Sequence, residues 1–180
     1  LEALDFRILY APDAGQPLVA KGEIEGSTEE TDVGDHPEWM SDHRLLLIAD
    51  QSDRKQLTVR GEPEGLEDVQ ETIKNLDFSE EAMYIEQRVI DDCRQPLLTD
   101  VTIQPDRFDT SWCGRLRDPD VDCEADEKRL QALFVTVPEP VDDKPDRRGS
   151  QWSQRCPTAA LKSNRDEGAD GSNTTAGESQ

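Results

Sequence analysis

Apolar and polar residues alternate at the start of the chain. Phe6, Ile8 and Tyr10 share one parity, "PDAGQ" supplies turn residues, and Leu18, Ala20 and Ile24 resume an apolar pattern, which predicts two strands joined by a loop. The polar stretch "STEETDVGDHPEWMSD" reads as a loop. "HRLLLIAD" follows, a short unbroken apolar run with no helical gap, and it predicts an interior strand. Leu57 and Val59 alternate as a further strand, "GEPEG" ends it, and Leu66, Val69, Ile73 and Leu76 then recur at helical spacing. In residues 79–91, Met83, Ile85 and Val89 lie on one face of a strand, with Tyr84, Glu86 and Arg88 opposite. The same segment admits a helix stapled by Phe78 and capped by Ser79. The strand is preferred because it completes a β-α-β unit of ordinary length. "PLLTDVTI" predicts one more strand.

The stretch "DPDVDCEADE", residues 118–127, places Asp118, Asp120 and Asp122 at alternate positions, as a calcium loop does. Register excludes an EF-hand. Cys123 stands where the sharp turn needs glycine, and Arg129 stands where a bidentate glutamate closes the coordination sphere. Asp122 instead suits a helix N-cap, with Glu124 and Asp126 near the positive end of the dipole. Leu130, Leu133, Phe134 and Val137 fall at i, i+3, i+4 and i+7, so a second helix is expected after Asp122.

Periodicity fades after residue 137, where Pro, Gly, Ser, Asp and Thr accumulate. The expected organisation is one domain over residues 1–141 and a disordered acidic and polar tail over 142–180, in which Trp152, Cys156 and Leu161 are too few to form a core. The order of elements implies an α+β fold: a small mixed sheet with two helices mainly on one face.

Charge changes this picture more than length does. The formal net charge is -21 over 180 residues, which opposes binding of nucleic acid or anionic lipid by the general surface. Disorder accounts poorly for the periodic apolar segments, and a nucleic-acid mimic would need charges at a defined spacing that a sequence does not display. Acids spread along the whole chain, few aromatics and an excess of arginine over lysine fit adaptation to high salt, where screening is nearly complete. Carboxylate pairs are then background. No apolar run approaches the length of a membrane span, and the expected setting is the cytoplasm. Cys93, Cys113, Cys123 and Cys156 are widely and irregularly spaced, with no C-x-x-C, so free cytosolic thiols are expected.

Two clusters carry the remaining chemistry. His36 and His43 lie in one loop with Asp35, Glu38 and Asp42, a nitrogen and oxygen set suited to zinc, manganese or iron. Pro37 opposes a regular helix there, and the acids beside each histidine are near what this composition gives by chance. The adjacency of Ser41, Asp42 and His43 is no catalytic geometry. "SWCGRLRD" gathers Trp112, Cys113, Arg115 and Arg117, where a lowered thiol pKa or an anion-holding arginine pair is conceivable. Glycine-rich phosphate cradles are missing, and no cofactor is implied. The expected function is a non-catalytic interaction or regulatory module adapted to high salt, with another protein as partner and without direct nucleic-acid or membrane binding. The alternative is a metal-dependent hydrolase or nuclease using His36 and His43.

Overall fold

The computed structural model of the chain describes residues 5–24, 37–153 and 156. Along them run β1 (Phe6–Ala11), β2 (Val19–Lys21), α1 (Met40–His43), β3 (Leu45–Ile48), α2 (Gln51–Gln56), β4 (Leu57–Val59), α3 (Leu66–Asn75), β5 (Ala82–Asp91), β6 (Arg94–Gln104), β7 (Arg107–Leu116), β8 (Lys128–Val137) and β9 (Arg147–Ser153). The strands form three sheets. An antiparallel sheet runs β1-β8-β5-β3, β2 and β4 make a two-stranded ribbon, and β6-β7-β9 form a sheet in which β7 and β9 are parallel. Two-residue connections turn β5 into β6 and β6 into β7, the length that tight turns between strands favour.

Both faces of the four-stranded sheet are covered. On one face Leu9, Leu46, Ile48, Met83, Ile85, Leu130 and Phe134 pack with Val69, Ile73 and Leu76 of the α3 region and with Leu18 and Val19. On the other, Leu45, Leu47, Ala82, Tyr84 and Val137 meet Phe108, while Leu133 and Val135 meet Leu98 and Trp112. Three layers result: α3 and the small ribbon, the central sheet, and the β6-β7-β9 sheet. A strand buried on both faces has no polar side to show, which is why β3 is four consecutive apolar residues.

The expected α+β fold with two helices on one face is corrected by this architecture, which is mostly β. Of the two expected helices, the one beginning at Leu66 forms as α3. The other does not. Residues 118–127 are an exposed loop and the apolar stretch after it is β8, paired with β1 and β5 on its two sides. Leu130 and Phe134 face the α3 layer while Leu133 and Val137 face the second sheet, so a strand buried on both faces reproduces the i, i+3, i+4, i+7 spacing of a helix. Asp122 therefore caps no helix. Residues 82–91 are a strand, but β4 and β5 belong to different sheets and make no β-α-β unit.

Within the stretch expected to be a tail, one segment is ordered. Arg147–Ser153 is strand β9, added in parallel to β7 with Trp112 opposite Trp152. Its residues are largely exposed, so backbone pairing holds it and apolar periodicity gave no signal. Apart from Cys156, the part of the expected tail beyond Ser153 lies outside the described residues. The cysteines are not free. Cys93 is bonded to Cys123 and Cys113 to Cys156, across 30 and 43 residues. No helix among the described residues is long and apolar enough to cross a membrane.

Candidate functional site

Among the described residues, neither cluster singled out by sequence is brought together. His36 and Asp35 lie outside the described residues. His43 ends α1, and its backbone carbonyl accepts a hydrogen bond from Gln87 Nε2 at 2.7 Å, while its buried Nδ1 finds no partner among the described residues. Ser41 Oγ donates to the Glu38 carbonyl at 3.0 Å, which ties it to the turn before α1. No three His, Cys, Asp or Glu side chains among the described residues converge in a way that could hold a metal ion. In "SWCGRLRD", Cys113 is consumed by its disulfide and offers no nucleophile. Arg115 donates to Gln95 Oε1 at 2.8 and 3.0 Å, whereas Arg117 donates to Asp92. The arginines thus serve different neighbours and do not form a pair.

What sequence reasoning missed is a polar layer between the two large sheets. Register builds it. Tyr10 of β1, Gln131 of β8 and Arg88 of β5 lie side by side in one row across the central sheet, and Ile8, Leu133, Glu86 and Leu45 form the next. The facing strand β7 offers Phe108, Thr110 and Trp112 in turn. Phe108 packs on Tyr84 with ring centroids 4.7 Å apart, Thr110 Oγ1 donates to Glu86 Oε2 at 2.7 Å, and Arg88 stacks over Trp112 with its guanidinium carbon 4.5 Å from the ring centroid. Apolar packing gives way to polar pairing within three rows.

Glu86 is buried, and its Oε1 lies 3.7 Å from Arg88 and 4.0 Å from Arg44, contacts of ionic attraction too long for hydrogen bonds. Arg88 also donates to Ser150 Oγ of β9, which connects the central sheet to the added strand. Burial lowers the Arg88 pKa from its ordinary value, and Arg44 adds to that effect, while Glu86 opposes it. Further along, Arg129 stacks over Tyr10 at 4.5 Å and sits 3.9 Å from Asp92. Burial, then Arg117, lowers the Arg129 pKa, and burial raises that of the Tyr10 phenol. The signal was present in the sequence as charged and amide residues, Glu86, Arg88, Arg129 and Gln131, on strands otherwise apolar. In so charged a chain it could not be told from background.

Both disulfides fix the same end of this sandwich. Cys93 lies in the β5-β6 turn and Cys123 in the loop before β8, while Cys113 is near the end of β7. Asp92 in that turn accepts from Arg117 at 3.0 Å and from the Glu124 backbone N–H at 3.1 Å, which holds the acidic loop against it. Three large apolar residues are exposed here: Leu116, Val121 and Trp152. The Trp152 ring lies against Gly114, where a side chain of any size would collide with it. Known protein families, characterised proteins and solved structures include no match to this chain.

Proposed function

We propose that the chain is a non-catalytic interaction module, adapted to salt-rich surroundings, that binds another protein through the end of the sandwich braced by its two disulfides. The carrying observation is that Leu116, Val121 and Trp152 stand exposed on this braced end. Exposed apolar groups on a fixed scaffold lose little freedom on docking, and tryptophan is enriched where binding energy concentrates. The charge supports the remainder of the reading. At -21, long-range steering is weak in high salt, and apolar contact is the attraction that salt leaves intact.

Two disulfides favour an oxidising compartment over the cytoplasm expected from sequence, because thiols inside most cells are kept reduced. The alternative, a metal-dependent hydrolase or nuclease using His36 and His43, draws on one observation: the partnerless His43 Nδ1. Metal analysis after purification in high salt without chelator separates the readings. The module reading expects no stoichiometric metal and no thiol that alkylates before reduction. Stoichiometric zinc or manganese, lost in His43→Ala, would overturn it.

A further inference from the structure

Strand β9 joins the sandwich from outside its core. Among the described residues no member of β9 enters any of the three apolar clusters, whose last member along the chain is Val141, and its side chains are exposed or only half-buried. It is a margin strand, paired on one side only, to β7, and in parallel, the slightly weaker arrangement. Its side chains find three seats: Gly149 lies closely against Asp109, Ser150 accepts from Arg88, and Trp152 covers Gly114. Little apolar surface is buried in this way, so little opposes the loss of chain freedom that ordering seven residues entails. The Cys113–Cys156 bond offsets that loss. It closes 43 residues of chain just beyond the end of β9, onto the residue of β7 that pairs with Ser153. Before the strand, Pro145 is buried and Val141 packs on the second cluster, so the connection is anchored up to where β9 begins.

We propose that the Cys113–Cys156 bond is a redox latch for β9: closing it docks the strand and sets Trp152 over Gly114, and opening it releases residues 147–153 while the rest of the sandwich keeps its fold. The chemistry is thiol–disulfide exchange. A small disulfide such as oxidised glutathione takes two electrons and two protons from the thiols of Cys113 and Cys156, one sulfur–sulfur bond forming in the protein as one breaks in the oxidant, and a dithiol reverses the step. Cys113 is buried and Cys156 partly exposed, which gives the exchanging group its approach from the β9 side. The Cys93–Cys123 bond has no such role, since it joins a turn and a loop that Asp92 also ties together through Arg117 and the Glu124 N–H. Trp152 is one of the three exposed apolar residues on the end proposed to bind a protein, so the latch decides whether that surface is complete. This consequence alone rests on the protein-binding reading. The docking of β9 is a property of the isolated chain and is tested without a partner.

Amide hydrogen exchange of the full chain in molar salt tests the latch. In Cys113→Ser/Cys156→Ser, with Cys93–Cys123 left oxidised, the amides of residues 147–153 should exchange at least about 10-fold faster than in wild type, while those of β1, β5 and β8 stay within about 2-fold. Unchanged protection of β9 would show that pairing holds the strand without the bond, and an equal loss in β5 and β8 would show that the bond supports the whole fold. Either result overturns the proposal. Should the variant fail to fold, wild type folded first and then titrated with dithiothreitol takes its place, the opened thiols being located by alkylation of a quenched portion. The same local rise is then expected once Cys113 and Cys156 are thiols, with protection restored by oxidised glutathione. A bond that opens only with global unfolding, or a strand that stays protected after it opens, is the contrary result. Because the strand itself is the readout, a failed latch leaves the protein-binding reading standing, and failure to find a protein partner leaves the latch standing.

Discussion

Gln87 uses its whole side-chain amide on the backbone of other elements. Oε1 accepts from the N–H groups of Leu18 and Val19 at 2.8 Å each, and Nε2 donates to the carbonyls of Val19 and His43. The residue is fully buried, and so are its bonds to Leu18 and Val19, whose groups would lose their partner without access to water if the amide were removed. Gln87→Leu fills similar space but satisfies none of them, and it should lower stability by roughly 3 kcal/mol or more, given about 1–3 kcal/mol for each stranded polar group. Urea unfolding gives the number, and a loss below 1 kcal/mol in magnitude, or about one ordinary hydrogen bond, would show that β2 is held by other contacts. Asp122 is the contrasting case. Exposed in a loop and capping nothing, it should tolerate Asp122→Ala to within about 0.5 kcal/mol, with or without calcium. A loss of about 1 kcal/mol would restore the capped helix that the local sequence suggests.

Among the elements, β8 carries the plainest lesson in what a sequence displays. Its residues were recognised as core, because Leu130, Leu133, Phe134 and Val137 are indeed buried; their periodicity misidentified the element, because partners on both faces remove the alternation that marks a strand. Strand β5, with Glu86 and Arg88 kept on one side, retained enough alternation to be read correctly. Helix α3 was legible for the opposite reason: one face packs on the sheet and the other meets solvent, with only Val69 and Ile73 buried. Nothing local announced β9, whose place depends on pairing with β7 and on a cysteine 43 residues from its partner. The inter-sheet polar layer was illegible in the same way, since it exists only through register. Cross-links have a measurable consequence here. Replacing Cys93 and Cys123 by serine frees the acidic loop and should cost about 3.5 kcal/mol from loop entropy across 30 residues. Denaturant unfolding of the double variant checks it, and a change under about 1 kcal/mol would mean that Asp92 and Arg117 restrain the loop without the bond.

At the scale of the whole molecule the dominant quantity is charge. With 41 acidic and 20 basic residues, most carboxylates have no cation to pair with, and folding gathers them onto one surface. Screening decides the cost. The Debye length is about 3 Å in 1 M salt and about 30 Å at 0.01 M, so in dilute buffer each carboxylate repels others across most of the molecule. Dialysis from molar salt should therefore lower the Tm. That observation alone would not identify repulsion, because salt also strengthens apolar burial. Proton uptake separates these causes. Bringing dilute buffer from pH 7 toward the isoelectric point of about 4.3 reduces the net charge and leaves apolar burial and salt concentration unchanged. Repulsion thus predicts a rise in Tm as the pH falls in low salt, and a much smaller rise, or a fall, in molar salt. The rise has a lower limit set by specific pairs. For Asp53, burial favours the neutral form, but hydrogen bonds from Lys21 and the Ala49 backbone outweigh it and hold the folded pKa below 3.8. A depressed carboxylate stabilises the fold above its unfolded pKa of 3.8 and ceases to do so as the pH falls through the folded value. The low-salt Tm should accordingly climb between pH 7 and about 4.3, then turn downward in more acid solution. Melting curves by circular dichroism at two ionic strengths across that range provide the test. A Tm in dilute buffer that stays level or falls from neutral pH downward would mean that the surface charge is not what limits this fold.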